Sequence, residues 1–265
     1  MSEVLLIPKI VTLMTFISNS KKFIFVHLHK CAGSSIEVAL SDTIQWNDII
    51  LGSTQYGEKI QTVYREKFNL YKHSSAADIE KVVGDNIWNS YFTFSIVRHP
   101  LDRMVSLYTF LQKLKIQYGF IDNLKLKTKI FLLQNKKFPI TLKDLSIQKE
   151  GMTLRTEMWA LLESRNFSQF IFNIINTNSP SIKSQFESLL NKDKTKIGVD
   201  YIGKFENIEN DWQYICKKLN ITIDLPHVNK SREHQKNWRN YYTLDDINFM
   251  VEKYKVDLEA FNYSV

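Results

Sequence analysis

Residues 29–35, His29-Lys30-Cys31-Ala32-Gly33-Ser34-Ser35, have the types and spacing of an anion-binding loop. The run before them, residues 23–28, is apolar and rich in aromatic and β-branched side chains, which reads as a buried strand. Residues 36–40 continue as a helix. A strand that turns through small residues into a helix aims several backbone N–H groups at one spot, at the positive end of the helix dipole. Lys30 adds a full charge. Ser34 and Ser35 add hydroxyl donors and are placed to cap the helix. Phosphate is the best-fitting ligand. On this stretch alone, a plain strand-turn-helix with a capping serine and a surface lysine fits equally well. The loop is not a Walker loop, because its lysine precedes the glycine.

A second strand-loop-helix unit follows. Residues 91–97 are apolar, Arg98-His99-Pro100 ends them, and residues 101–112 read as a helix whose first turn suits Pro100. Arg98 stands at the strand end. Ser106 lies two helical turns later, on the face of Arg103. A guanidinium grips phosphate as a fork and a hydroxyl completes the contact. The plainer alternative pairs Arg98 with Asp102 and leaves Ser106 as a packing residue. Two such units suggest neighbouring parallel strands, with both loops at the carboxyl edge of one sheet.

The elements that must position these loops are less marked. Residues 199–206 read as a third strand and 207–219 as an amphipathic helix that makes Cys216 a core thiol. A helix over 76–83, capped by Ser74 or Ser75, ends at Gly84. Residues 41–70 look irregular. Residues 113–150 carry many lysines and suit an insertion or lid, or ordinary helical packing. Helical patterns cover 152–172 and 179–190. Residues 225–238 form a polar loop, and Thr243 caps a last helix over 244–254, followed by an apolar tail at 258–263. Residues 4–18 are apolar but too short for a bilayer and unlike a signal peptide, so they read as a segment packed on one domain spanning 1–265.

Composition sets outer bounds. The chain has 265 residues, 44% of them hydrophobic and 13% aromatic, enough for a real core. A net charge of +7 favours an anionic partner such as a nucleotide, a nucleic acid, a sulfated glycan or a membrane surface. The basic residues form no polybasic tail, so nucleic acid is not required. Two distant cysteines, Cys31 and Cys216, argue against a disulfide framework or a zinc site and suit a reducing, cytoplasmic setting.

Together the two loops carry a family resemblance. Residues 27–35 resemble the 5′-phosphosulfate loop of sulfotransferases, and residues 97–108, Val-Arg-His-Pro-Leu-Asp-Arg-Met-Val-Ser-Leu-Tyr, resemble their 3′-phosphate motif. Residues 71–78, 202–208 and 225–232, with Tyr241-Tyr242, resemble the carbohydrate-type or bacterial branch of that superfamily. The resemblance runs from about residue 23 to the C-terminus and is weakest over 110–150. It implies an α/β, P-loop-like three-layer sandwich with a central mostly parallel sheet flanked by helices. It implies 3′-phosphoadenosine 5′-phosphosulfate as donor, adenosine 3′,5′-bisphosphate as product and no metal. Carried over, Lys30, Cys31, Ala32, Gly33, Ser34 and Ser35 would hold the 5′-phosphosulfate and Arg98 and Ser106 the 3′-phosphate. Lys230, Ser231 and Arg232 would close over the nucleotide. One departure stands out: the branch usually has proline where His29 precedes the loop lysine.

The chemistry implied is in-line sulfuryl transfer through a loose transition state, with charge building on the leaving oxygen. Lys30 is the candidate cation for that oxygen. A hydroxyl acceptor needs a base, for which histidine is suited. His73 is the first candidate, because it lies in the segment that resembles the family's histidine-bearing acceptor site. His29 is second. His27 reads as a core histidine, His99 as packing beside Arg98, and His227 and His234 as flanking the closing loop. Glu157 reads either as an acceptor contact or as an exposed helix residue. The acceptor reads as a carbohydrate or a small natural product, with a guanidinium toxin of the saxitoxin type as one option. A P-loop-like nucleotide kinase and a non-catalytic polyanion-binding module are the alternatives. The kinase lacks a Gly-Lys-Ser/Thr ending, and the module leaves both phosphate loops unexplained.

Overall fold

The computed structural model describes residues 14–52, 55–116, 155–226 and 237–265. The expected insertion beyond residue 116, and Lys230, Ser231, Arg232, His227 and His234, lie outside the described residues. Along the chain run β1 (Met14–Ser18), β2 (Phe23–Phe25), α1 (Gly33–Ser41), β3 (Ile49–Gly52), α2 (Gln55–Phe68), α3 (Ala76–Val83), α4 (Asp85–Ser90), β4 (Phe92–Val97) and α5 (100–116). After them come α6 (Arg155–Leu162), α7 (Phe167–Ile175), α8 (Gln185–Ser188), β5 (Tyr201–Lys204), α9 (Ile208–Leu219), α10 (Leu244–Lys253) and α11 (Lys255–Ala260). They fall into two compact units, Met1–Val97 with Glu187–Asn229, and Arg98–Phe186 with Lys230–Val265.

The first unit holds a five-stranded sheet in the order β3-β1-β2-β4-β5. β2 pairs with β4, and β4 with β5, in parallel. The expected pair of neighbouring parallel strands is therefore present, and β2 and β4 leave the sheet at the same edge. The expectation of a mostly parallel sheet needs correction: β1 pairs antiparallel with both β2 and β3, so the sheet is mixed. A tight β1–β2 turn puts β1 directly beside β2. Asp48 holds that turn, its carboxylate accepting from Ser18, the backbone and hydroxyl of Ser20, and the Gln45 N–H. Residues 14–18 thus form an internal strand and do not merely pack on the domain.

Apolar side chains fix the sheet to its helices. Phe16, Phe23, Phe25 and Phe94 form one aromatic cluster with Ile36 and Leu40 of α1 and Trp212, Ile215 and Leu219 of α9. Cys216 lies in this core, and burial pushes its thiol pKa up. Residues 41–70 are not irregular, as the sequence suggested. They carry β3 and α2, and α2 was hidden because it buries little apolar surface. Its inward residues include Gly57, which packs on the Gly52 carbonyl, and Gln61, whose side-chain oxygen accepts from the Lys72 N–H. Ser75 caps α3 in a reciprocal capping box with Asp78, and Gly84 ends it at φ 79°.

The second unit is helical in its described residues. Leu101, Val105 and Leu111 of α5 pack with Met158 and Leu161 of α6, Phe170 and Ile174 of α7, and Met250 and Tyr254. The helical pattern over 152–172 resolves into α6 and α7, broken where Asn166 caps the second helix through Gln169 N–H. The pattern over 179–190 is only a 3-10 turn, Pro180–Ile182, and short α8. Thr243 caps α10 with a second capping box, as read from the sequence.

Candidate active site

In the first unit, β2 passes into an extended segment that stays tied to β4 through the Val26 N–H and the Phe94 carbonyl at 2.9 Å. The chain then makes a loop in which, among residues 29–33, Lys30 (φ 63°) and Ala32 (φ 62°) take left-handed backbone while their neighbours do not. Such alternation of sign turns successive N–H groups towards a common concavity, which suits an anion. Ala32 occupies the N-cap position of α1 and has no side chain able to cap it; its carbonyl accepts from the Ser35 and Ile36 N–H groups. The expected cap by Ser34 or Ser35 is therefore corrected. The Gly33 and Ser34 N–H groups, at the head of α1, have no preceding helical carbonyl to bind. The Cys31 thiol is buried and donates to the His29 carbonyl at 3.3 Å.

Gly33 is required by space, since its own φ is not left-handed. A Cβ there would lie 1.8 Å from Nε2 of His27. The His27 ring is 1% exposed, stacks on Phe25, and holds a carboxylate oxygen of Glu37 with Nδ1 at 2.7 Å. It is a core histidine, as the sequence suggested, but it forms the floor of the loop.

His73, two residues before the Ser75 cap, reaches the same place. Its Nδ1 lies 3.2 Å from the main-chain carbonyl of His27. A carbonyl only accepts, so Nδ1 carries the proton and Nε2 holds the lone pair. That Nε2 is buried and has no hydrogen-bond partner among the described residues. The ring of His29 stacks on His73 with centroids 3.4 Å apart, and the His27 ring meets it edge-on at 4.7 Å. Burial holds the His73 pKa well below the ordinary imidazole value, and His29, His27 and Lys72 push the same way. His73 is thus neutral at neutral pH, with its basic nitrogen unengaged. The structure brings His73 and His29 together, and Lys30 follows His29 in the chain.

The second unit begins with Arg98, which is buried. Its Nε donates to Asp102 at 2.6 Å, so the plainer pairing read from the sequence is present. That bond engages Nε, whereas a phosphate fork uses the terminal Nη groups as well. Gln185 fixes the Arg98 main chain on both sides. Its side-chain oxygen accepts the Arg98 N–H at 2.9 Å, and its Nε2 donates to the Arg98 carbonyl at 2.8 Å. Asp257 in turn accepts from the Gln185 N–H. Arg103 donates to the Lys183 carbonyl and lies over the Tyr254 ring. Ser106 is buried on α5. His99 stacks on Trp238, accepts from the Leu101 N–H with Nδ1 and faces the Ser264 carbonyl with Nε2 at 3.1 Å, so it packs as expected. Glu157 is neither exposed nor open to an acceptor through Oε1, which accepts from the Ser179 and Ser181 hydroxyls.

A model of the sulfotransferase family matches residues 14–264. The chain belongs to the sulfotransferase family. The search of curated proteins and the search of solved structures each returned no match. The family match extends the resemblance from residue 23 back to β1, whose pairing with β2 the sequence did not reveal. For this sulfotransferase-family chain, no group of three or more His, Cys, Asp or Glu among the described residues is placed to hold a metal ion. No helix among them is long and apolar enough to cross a membrane. Sequence reasoning missed Glu37 and Gln185. Glu37 was findable, because it lies four residues after Gly33 and so on the same helix face. Gln185 carries no local signal; only the tertiary fold brings it to Arg98.

Proposed function

We propose that this chain transfers a sulfuryl group from 3′-phosphoadenosine 5′-phosphosulfate to a hydroxyl of a carbohydrate or small natural product. The observation that carries the reading is the neutral, tautomer-fixed His73 stacked on His29, the residue before Lys30, in a chain of the sulfotransferase family. The loop fits the donor's phosphosulfate: two left-handed residues and a helix N-terminus gather N–H donors, and the Lys30 side chain supplies a cation. In this reading Lys30, Cys31, Ala32, Gly33, Ser34 and Ser35 hold the 5′-phosphosulfate, and Arg98 and Ser106 hold the 3′-phosphate. Lys230, Ser231 and Arg232 are assigned to the nucleotide on family likeness alone.

The donor, when bound, supplies an activated sulfuryl group whose bond to the phosphate oxygen breaks as its bond to the acceptor oxygen forms. His73 Nε2 takes the acceptor proton, because Nδ1 is committed to the His27 carbonyl. Lys30 and the loop N–H groups offset charge on the departing phosphate oxygen, where fixed donors act most strongly in the transition state. The Asp102 pair orients the Arg98 guanidinium, and Gln185 fixes its main chain. His29 packs against the base and is assigned no proton transfer.

The test is a comparison of ligands. Adenosine 3′,5′-bisphosphate should raise the melting temperature more than ATP at equal concentration, since only a ligand that binds the folded state stabilises it. Labelled donor should then pass its sulfate to a member of a panel of glycans and small alcohols. Greater stabilisation by ATP with magnesium would favour the kinase reading.

A further inference from the structure

The family match does not explain why a carboxylate is buried beneath the anion loop. Glu37 is 1% exposed, and it faces the loop floor from α1. Its partner is Nδ1 of His27, which, as a donor to a carboxylate, carries a proton. Phe25 stacks against that ring, and the Gly33 backbone leaves no room on its Nε2 side. The His27 ring is therefore held on three sides. The same residue contacts His73 twice, through its ring edge at 4.7 Å and its main-chain carbonyl at 3.2 Å. His29 covers another part of the His73 ring.

Resting on the reading of His73 as the base, we infer that Glu37 is a positioning residue for it. Glu37 clamps His27, His27 fixes His73 with its proton on Nδ1, and His29 closes the stack, so the four residues act as one buried unit. The groups facing His73 are His27 from the end of β2, His29 from the loop and Lys72 from the segment before α3; Glu37 stands behind His27. Three imidazoles and a lysine disfavour a second positive charge. Glu37, a carboxylate bonded to this cluster, offsets the proton that His73 gains in each turnover. A carboxylate held behind a histidine acts by orientation and by stabilising the imidazolium, without itself accepting the proton.

The role is separable from packing by two substitutions. Glu37→Gln keeps an acceptor for the His27 Nδ1–H but removes the charge. Glu37→Leu removes both. The readout is the ring-nitrogen NMR of the full chain labelled at histidine, followed from pH 8 to pH 5. In the unaltered protein, His73 should show a protonated Nδ1 and a bare Nε2. Glu37→Gln should retain that tautomer while His73 takes up its proton at lower pH. Glu37→Leu should lose the single tautomer, and kcat should fall roughly 100-fold, the scale of a misplacement of about 1 Å at a reacting centre. Adenosine 3′,5′-bisphosphate should still raise its melting temperature. A single Nδ1–H tautomer at His73 in Glu37→Leu would overturn the assignment, and so would an unshifted histidine titration in Glu37→Gln. The titration of Glu37→Gln decides the matter alone if Glu37→Leu does not fold. The NMR readouts need no donor or acceptor, so they succeed or fail independently of whether the chain transfers sulfate.

Discussion

Replacing Gly33 by alanine is the most demanding test of the loop geometry. The change is favourable for the helix itself, since Ala exceeds Gly in helix propensity by about 1 kcal/mol. The added Cβ, however, would stand 1.8 Å from Nε2 of His27, and ordinary contact begins near 3.4 Å. Ring or loop must yield by about 1.6 Å. The ring cannot move freely, because it stacks on Phe25 and holds Glu37 at 2.7 Å. Overpacking of this kind costs roughly 1–3 kcal/mol. Loss of a hydrogen bond to a charged group adds about 1.5–3 kcal/mol. A net destabilisation of about 3 kcal/mol corresponds to a melting temperature lower by on the order of 10 °C. Thermal unfolding measures the first effect. Turnover measures the second, because any shift of His27 also moves the carbonyl that fixes His73. A Gly33→Ala protein that melts within a degree or two of the unaltered chain would refute the packing of His27 against the loop. Gly84→Ala is the contrast: nothing lies within 4 Å, and the expected loss of roughly 1–3 kcal/mol comes only from its backbone at φ 79° and ψ 162°, a region essentially confined to glycine.

The remaining predictions concern charge. His73→Ala should abolish sulfuryl transfer while leaving the thermal shift by adenosine 3′,5′-bisphosphate intact; near-normal turnover would remove the base assigned here. The His73 pKa is lowered in the folded state, so the unfolded chain binds more protons as pH falls below about 6.5. The stability His73 contributes is therefore present above that pH and is lost as pH falls towards the depressed value, and the acid limb of turnover should lie below that of an ordinary imidazole. Melting and rate profiles between pH 8 and 5 check both, and a rate limb centred near pH 6.5 would contradict the burial of Nε2. Arg98→Ala should weaken binding of adenosine 3′,5′-bisphosphate by roughly 10- to 100-fold, the worth of charge-assisted hydrogen bonds; unchanged affinity by calorimetry would detach Arg98 from the nucleotide.

What the sequence disclosed follows from how local each signal is. β2, β4 and β5 were legible because each is a short apolar run with a clear break. The caps at Ser75 and Thr243 were legible because a capping box is a four-residue pattern. α2 escaped because it turns Gly57 and Gln61 inward instead of an apolar stripe. β1 escaped because its partners, β2 and β3, declare themselves only through pairing. At the candidate site, Lys30 and His73 were singled out from residue type and family likeness. Gly33 gives room to a ring packed from below, which no local pattern shows, and the left-handed turns of the loop fall to Lys30 and Ala32. The tautomer of His73 depends on a carbonyl 46 residues away, which no local pattern encodes.

The amide of Gln185 does for Arg98 what an adjoining strand would do with its main chain: it receives a hydrogen and returns one. Held from both sides in this way, the peptide passes from extended form into the helix that follows. Reciprocity of this sort tolerates little editing. Glutamate at 185 would set a carboxylate against the Arg98 carbonyl with nothing to give back, and asparagine would be one methylene too short to span both groups. Exchange of a single atom, nitrogen for oxygen, would thus turn a splint into a repulsion at the root of the arginine.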